Sequence, residues 1–423
     1  MKLVNRDCMA SRAPRTVVMS VLLVCALFVG AGLDRILVEI GTASDRFSNA
    51  SNYSIIGETY DVIRENYVLQ EDISDEELVW GATNGMMESL GDTGHSRFMN
   101  PQEAIEDDQN SNNELVGIGV SVNLEGEYPV VIYPMKDSPA MEAGILPGDV
   151  ILEVDGTDLT GMDPREAIDL VTGEEGTDVT LVLRRAGTDE TYEVTITREK
   201  INLDPVQYTM LPNNVLWLRL EQFSKGSASR VAEGLEWGKE QGMTSVILDL
   251  RGNPGGYVIE AMGVASQFLP DGTPLFQEMD NTGNKRTVTT IGDKGRYLDG
   301  PLVVLVNENS ASASEITSSA LMETGRAELV GKTTSGTGTV LLPFDLSDGS
   351  RINVGVQLFL TGQGTDIYHK GVVPTHDVEY SSDPGAYPSF PATLQVEEES
   401  LPQADFDALE DPQLHFAFDL LQN

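Results

Sequence analysis

Cysteine is almost missing from this chain: Cys8 and Cys25 are the only two in 423 residues. A disulfide framework, a thiolate zinc site and a thiol nucleophile are thereby excluded from the main body. Histidine is nearly as scarce, with four residues and no H-E-x-x-H spacing, so no zinc-peptidase motif is present and no metal or cofactor is implied. Basic residues are few, 27 against 67 acidic, for a formal charge of −40. So acidic a chain is repelled by phosphate backbones, which excludes nucleic acid as a partner, and adhesion to an anionic lipid surface is disfavoured for the same reason. What the chain does have is 40% hydrophobic residues, enough to fill real cores, and length for two or three domains.

The few basic residues are unevenly placed. Lys2, Arg6, Arg12 and Arg15 precede an uncharged stretch over 16–33, TVVMSVLLVCALFVGAGL. Its length is near the minimum for a spanning helix, so 1–33 reads as a signal or membrane anchor. The positive flank would stay in the cytoplasm. The expected location is then a single-pass cell-membrane protein with an extracytoplasmic (periplasmic or extracellular) body, or a secreted protein if Val29-Gly30-Ala31 is cleaved.

Four regions follow. Residues 51–100 show helical spacing at Ile56, Tyr60, Ile63 and Tyr67, and Ser74-Asp75-Glu76-Glu77 reads as a capping box opening a second helix through Met87. They read as a helical cap, and the acidic stretch 103–114 as a linker. Residues 116–199 change to short strands with glycine turns: GIGVSV, PVVIYPM, DVILEVDG and a hairpin over 177–199. Residues 205–380 read as α/β. VLWLRLEQF and SVILDLRG are continuous apolar runs of the kind found in strands buried on both faces. PLVVLVNENSASASEITSSALMETG reads as strand, turn and helix. The last region, 381–423, contains no Lys or Arg and reads as a disordered acidic tail ending in a short amphipathic piece. The fold class is thus multidomain, α+β followed by α/β.

A serine at a strand-to-helix turn can be held exposed, with helix N-terminal N–H groups facing a developing oxyanion. NENSASASE, 307–315, has that context. By itself it is also an ordinary serine-rich helix cap.

Longer motifs resolve the ambiguity. SPAMEAGILPGDVILEVDG, 138–156, resembles a PDZ domain of the bacterial protease type. In such a domain Gly117, Ile118 and Gly119 would form the loop that takes a peptide's C-terminal carboxylate, and the peptide would add a strand beside Val120. From about 54 to 380 the chain resembles the C-terminal processing (tail-specific) peptidases. The resemblance rests on GATNGMMESLGDTGHSRFMNPQE, the PDZ run, VILDLRGNPGG, VVLVNENSASASEI, FDLSDGS and GVVPTHDVE, which occur in family order. It implies a helical N-terminal part, a PDZ β-barrel-like domain and a ClpP/crotonase-like α/β serine protease core. It also implies polypeptide substrates with exposed apolar C-termini, and a homo-oligomer is possible. Ser312, first serine of S-A-S-E, would be the nucleophile; Ala313 and the Gly255-Gly256 pair would bind the oxyanion.

The family's general base is a lysine 25 residues after the serine. Here that position is Thr337, in SGTGTVL, and Leu341 stands where a supporting glutamine is usual. A threonine hydroxyl cannot keep the proton. Three readings stay open, one of them a purely structural or assembly factor. Another group could serve as base: Lys332, or His369 in DIYHKG, whose ordinary pKa suits the task. Alternatively, the chain is a PDZ-bearing scaffold that captures C-termini without cutting them.

Overall fold

The structure, a computed structural model, describes residues 53–69, 73–92, 96–123, 128–135, 138–188, 190–292, 295–380 and 400–422. Among the described residues no helix is long and apolar enough to cross a membrane. The expected membrane location is corrected on that finding: the segment on which it rested, 16–33, lies outside the described residues. The chain divides into two compact units, Met1–Thr83 and Asn84–Asn423.

In the first unit, helix α1 (Ser54–Asn66) is followed by the start of α2 (Asp75–Glu88). The expected capping box is present, with Glu77 N–H donating to Ser74 Oγ at 3.0 Å and Ser74 N–H to the Glu77 carboxylate at 2.8 Å. Arg64 pairs with Asp75 and donates to Ile73 O, joining the two helices.

The second unit begins, after the end of α2, with strand β1 (Arg97–Met99) and helix α3 (Pro101–Ser111). Helix α3 occupies the stretch expected to be a linker. Asn100 and Glu103 form a capping box and Pro101 takes the first helical position. Two of its four acidic side chains are paired from outside: Asp107 with Arg97 at 2.5 Å and Asp108 with Arg351 at 2.6 Å. Those partners are remote in sequence or on another strand, so composition alone could not show them.

Strands β2 (Glu114–Gly117) and β9 (Glu199–Asn202) pair antiparallel and bracket the PDZ domain. Within it, β3 (Val120–Asn123), β4 (Val130–Pro134), β5 (Val150–Val154), β7 (Asp178–Arg184) and β8 (Thr191–Thr197) form a sheet in the order β3-β4-β5-β7-β8, with β6 (Thr157–Asp158) paired to β5. The short α4 (Pro139–Glu142) and α5 (Pro164–Val171) complete it. Ile118, Ile151, Val179, Leu181 and Ile196 fill its own apolar core.

The protease core is a six-stranded sheet of β10 (Val206–Leu211), β11 (Val215–Leu220), β12 (Ser245–Asp249), β15 (Leu302–Val306), β16 (Glu328–Gly331) and β19 (His376–Asp377), in that order. All neighbours are parallel except β10 and β11. The apolar runs of β11 and β12 alternate between two cores, as the period-2 pleat requires. Leu216, Leu218, Val246 and Leu248 face helices α6 (Ser227–Glu240), α7 (Val258–Phe268) and α8 (Ala313–Glu323). Val215, Trp217 and Ile247 face the opposite way. That second face is covered by the chain's own C-terminus. Leu401, Phe406 on α9 (Gln403–Asp407), and Leu414, Ala417 and Phe418 on α10 (Pro412–Leu420) form the other half of the core. The expectation of a disordered tail is therefore corrected for 400–411, while the short amphipathic piece expected at the end of the tail is α10. Five apolar side chains outweigh the acidic composition, since each fully buried Leu or Phe contributes about 1.5–3 kcal/mol. The EEE run at 397–399 lies outside the described residues.

A second sheet holds β13 (Pro274–Met279), β14 (Lys285–Thr289), β17 (Thr339–Asp345) and β18 (Arg351–Thr361), with β1 on the other edge of β18. It stands beside the C-terminal ends of β12 and β15, where an open α/β sheet commonly builds its site.

Candidate active site

Strand β15 ends in a turn, 307–311, that hands the chain to α8 at Ser312. This serine has φ 51° and ψ −110°, a conformation that side-chain-bearing residues rarely adopt. The strain is held by a dense set of hydrogen bonds. Ser310 Oγ donates to Leu250 O at 2.8 Å, Ala311 N–H to Asn253 O at 3.0 Å and Ser314 Oγ to the same carbonyl at 3.0 Å. Ser312 N–H itself donates to Thr337 Oγ1 at 2.6 Å and to Glu315 at 3.0 Å. The serine is thereby fixed at the tip of the turn, on the wall of a cavity of about 1070 Å³.

Gly255 and Gly256 arrive from the loop after β12 with φ 102° and 135°. A Cβ on Gly255 would stand 2.8 Å from Ser312 Cβ and 3.0 Å from Ala313 N, so only glycine permits this approach. Ala313 opens α8, where the first N–H groups have no intrahelical partner. Gly255 N–H is already committed to Asn253 Oδ1 at 2.8 Å, which leaves Gly256 as the member of the pair suited to share an oxyanion with Ala313.

Thr337 is buried and faces the same cavity. Its hydroxyl accepts from Ser312 N–H and donates to the fully buried Glu315. Glu315 also accepts from Thr334 Oγ1 at 2.6 Å, Gly336 N–H at 2.6 Å and Thr337 N–H at 3.0 Å. One carboxylate thus ties the loop 334–337 to the turn that carries Ser312. Glu315 carries no expectation in the sequence reading. Its signal was there, a Ser-x-x-Glu spacing at the start of α8.

The structure does not bring the two candidate bases to Ser312. Lys332 lies at the end of β16 with its ammonium 2.7 Å from Asp377 and 2.6 Å from Glu379. Hydrogen bonds to Asp377 and then Glu379 raise its pKa above the ordinary lysine value. A general base needs the opposite shift, so Lys332 is corrected as a candidate. His369 is exposed, stacks on Tyr368 at 3.9 Å and gives its backbone N–H to Gly336 O at 2.8 Å. It supports the back of the loop and does not line the cavity. Leu341 does line it, on β17, giving an apolar wall at the position where a glutamine is usual.

In the PDZ domain Gly119 has φ 75°, and a Cβ there would lie 2.4 Å from Ser138 Cβ. Its carbonyl accepts from Met135 N–H and Ser138 Oγ, and that of Ile118 from Ala140 N–H. Ile118 is a core side chain at 2% exposure, and Gly117 is the last residue of β2. Val120 begins β3, an edge strand of the sheet.

Comparison with known proteins agrees with this arrangement. The model of "Peptidase family S41" matches residues 214–378, that of "PDZ domain" 130–185, and that of "Activating protease CtpB N-terminal domain" 38–103. The chain is 35% identical to the carboxy-terminal processing protease CtpA of Bacillus subtilis (strain 168) over 324 residues, covering 77% of this chain and 68% of that one. It is 35% identical over 357 residues to the carboxyl-terminal-processing protease of Synechocystis sp., covering 82% of each. A solved S41 protein from Bacteroides fragilis NCTC 9343 shares the fold, with TM-score 0.54 at 18% identity, covering 86% of this chain and 96% of that one. The chain therefore belongs to peptidase family S41, as a serine-type peptidase of the carboxy-terminal processing kind with a PDZ domain.

Proposed function

We propose that the chain is an endopeptidase whose nucleophile is Ser312. The Oγ attacks a substrate carbonyl seated in the cavity, and the oxyanion is received by the N–H groups of Ala313 and Gly256. The PDZ domain takes the substrate's apolar C-terminus as an added strand on β3, with its carboxylate at the 117–119 turn. The observation that carries this reading is the conformation of Ser312: a strained non-glycine φ at a helix start, locked by Glu315 and Thr337 against a glycine that no Cβ could replace. A helix cap of ordinary kind needs no such strain.

One observation favours a second reading, capture of C-termini without cleavage. Among the described residues no lysine or histidine lines the cavity, and Thr337 stands in the position of the family's base. Labelling by a serine-directed fluorophosphonate separates the two. The peptidase reading expects labelling of the intact chain and cleavage of an unfolded protein, both abolished in Ser312→Ala. No labelling and no cleavage, with retained binding of apolar C-terminal peptides, would establish the scaffold.

A further inference from the structure

The oxyanion loop is bound to the C-terminus of the chain through a buried charge network. Arg251 follows β12 and precedes the loop's glycines. It is 1% exposed, and its guanidinium donates to Asp249 at 2.9 and 2.6 Å. The remaining donors go to the tail: Asp411 Oδ1 at 3.0 Å, Asp411 Oδ2 at 2.9 Å and Gln413 Oε1 at 3.1 Å. Burial alone would drive both charges towards neutrality. Asp249 and Asp411 nevertheless hold Arg251 above its ordinary pKa, and Arg251 holds Asp249 below the usual carboxylate range.

The tail members are fixed in turn. Asp411 Oδ1 accepts from Leu414 N–H at 2.9 Å, capping α10, and Gln413 donates to Val378 O at 2.8 Å. Leu401 N–H donates to Met210 O at 2.8 Å, anchoring the other end of the segment to β10. A guanidinium placed this way has no slack. Its planar fork is satisfied only when β12 and the tail are both in position. Immediately beyond it, Gly252 N–H is held by Asn307 Oδ1 and Gly255 N–H by Asn253 Oδ1, so displacement of Arg251 passes directly into the glycine pair.

We infer that two residues of the C-terminal segment, Asp411 with Gln413, are positioning residues that set the oxyanion loop through Arg251. This rests on the reading of Ser312 and Gly256 given above. The tail thus does two jobs: its apolar side chains cover the second face of the sheet, and its polar N-terminal turn aims the loop that meets the substrate carbonyl. Loss of the Asp411 carboxylate leaves a buried cation short of a partner, and the loop shifts to relieve it.

The test uses the full chain with Asp411→Ala, Asp411→Asn and, as a neighbouring surface-charge control, Glu410→Gln. Asparagine keeps the helix cap and one acceptor for Arg251 while removing the charge. In Asp411→Ala we expect kcat to fall by about 10²-fold, the loss that a displacement of order 1 Å produces at a reacting centre. KM and the affinity for apolar C-terminal peptides should stay unchanged. Amide hydrogen exchange over 250–257 should rise while α10 stays protected. Asp411→Asn should fall between wild type and alanine, and it is the variant to read if alanine does not fold. Glu410→Gln should match wild type. Unchanged kcat together with unchanged exchange at 250–257 in a folded Asp411 variant would overturn the inference. Absence of any Ser312-dependent turnover in the wild type would instead sink the reading of Ser312; the exchange at Gly255 and Gly256 would then decide the coupling alone.

Discussion

Glu315→Gln is the substitution that most directly tests how the site is held together. The carboxylate is fully buried and accepts five hydrogen bonds, from the backbone N–H groups of Ser312, Gly336 and Thr337 and the hydroxyls of Thr334 and Thr337. Glutamine offers one oxygen and turns the other into a two-proton donor. The hydroxyls can rotate to accept, but the amides cannot. Whichever oxygen is replaced, at least one buried N–H then faces a donor, which costs about 1–3 kcal/mol. The remaining bonds lose their charge assistance, worth about 1 kcal/mol each. Relief from burying a charge offsets part of this, so the expected destabilisation of the core is about 3–5 kcal/mol, the range for breaking a buried charged network. Urea unfolding followed by tryptophan fluorescence should show the lowered midpoint, since Trp217 lies in the core and Trp237 packs against it. The rate of fluorophosphonate labelling at Ser312 should fall with it, because the turn loses its clamp. A loss below about 1 kcal/mol with unchanged labelling would refute the argument that this carboxylate fixes Ser312.

Three further outcomes are expected. Gly255→Ala puts a methyl 2.8 Å from Ser312 Cβ on a backbone at φ 102°, so turnover should be lost while peptide binding by the PDZ domain persists; normal turnover would remove Gly255 from the site. Thr337→Lys restores an amine beside Ser312 and should raise kcat by the about 10²–10⁴-fold typical of a general base, whereas a fall would show that the threonine belongs to a different working arrangement. In the PDZ domain, burial and then the hydrogen bond to Asp149 push Tyr192 up to about 12. A raised folded-state pKa gives stability that is complete below the unfolded value near 10 and lost as pH rises through about 12. Thermal melts should therefore decline across that alkaline window, and the decline should flatten in Tyr192→Phe.

Much of this was legible in the residues themselves. The PDZ domain declares itself through glycines at fixed offsets: Gly119 and Gly148 take positive φ where the motif requires tight turns. The strands β11, β12 and β15 read as unbroken apolar runs, and the strand-turn-helix around Ser312 puts a serine at a helix start. Two segments were misread for a common reason. Helix α3 and the tail up to the start of α10 are acidic, and acidic composition reads as solvated chain. Each is stabilised by something distant, α3 by Arg97 and Arg351, the tail by the apolar face of β11, β12 and β15. A sharper reading was available for the tail. Strands that are apolar on both faces need two covering layers, and the helices between them supply only one.

The sequence alone determined the family, the domain order and the strand-turn-helix that carries Ser312, because each is written in local spacing: glycines that must turn, alternating side chains that must be buried, a serine that caps a helix. The tertiary structure decided what the site consists of. It drew Lys332 away into a pair of carboxylates, showed Thr337 as a link between Ser312 and Glu315, and brought Asp411 to Arg251 across 160 residues. Those outcomes depend on charges meeting in space, and a buried charge has no position in sequence that fixes its partner.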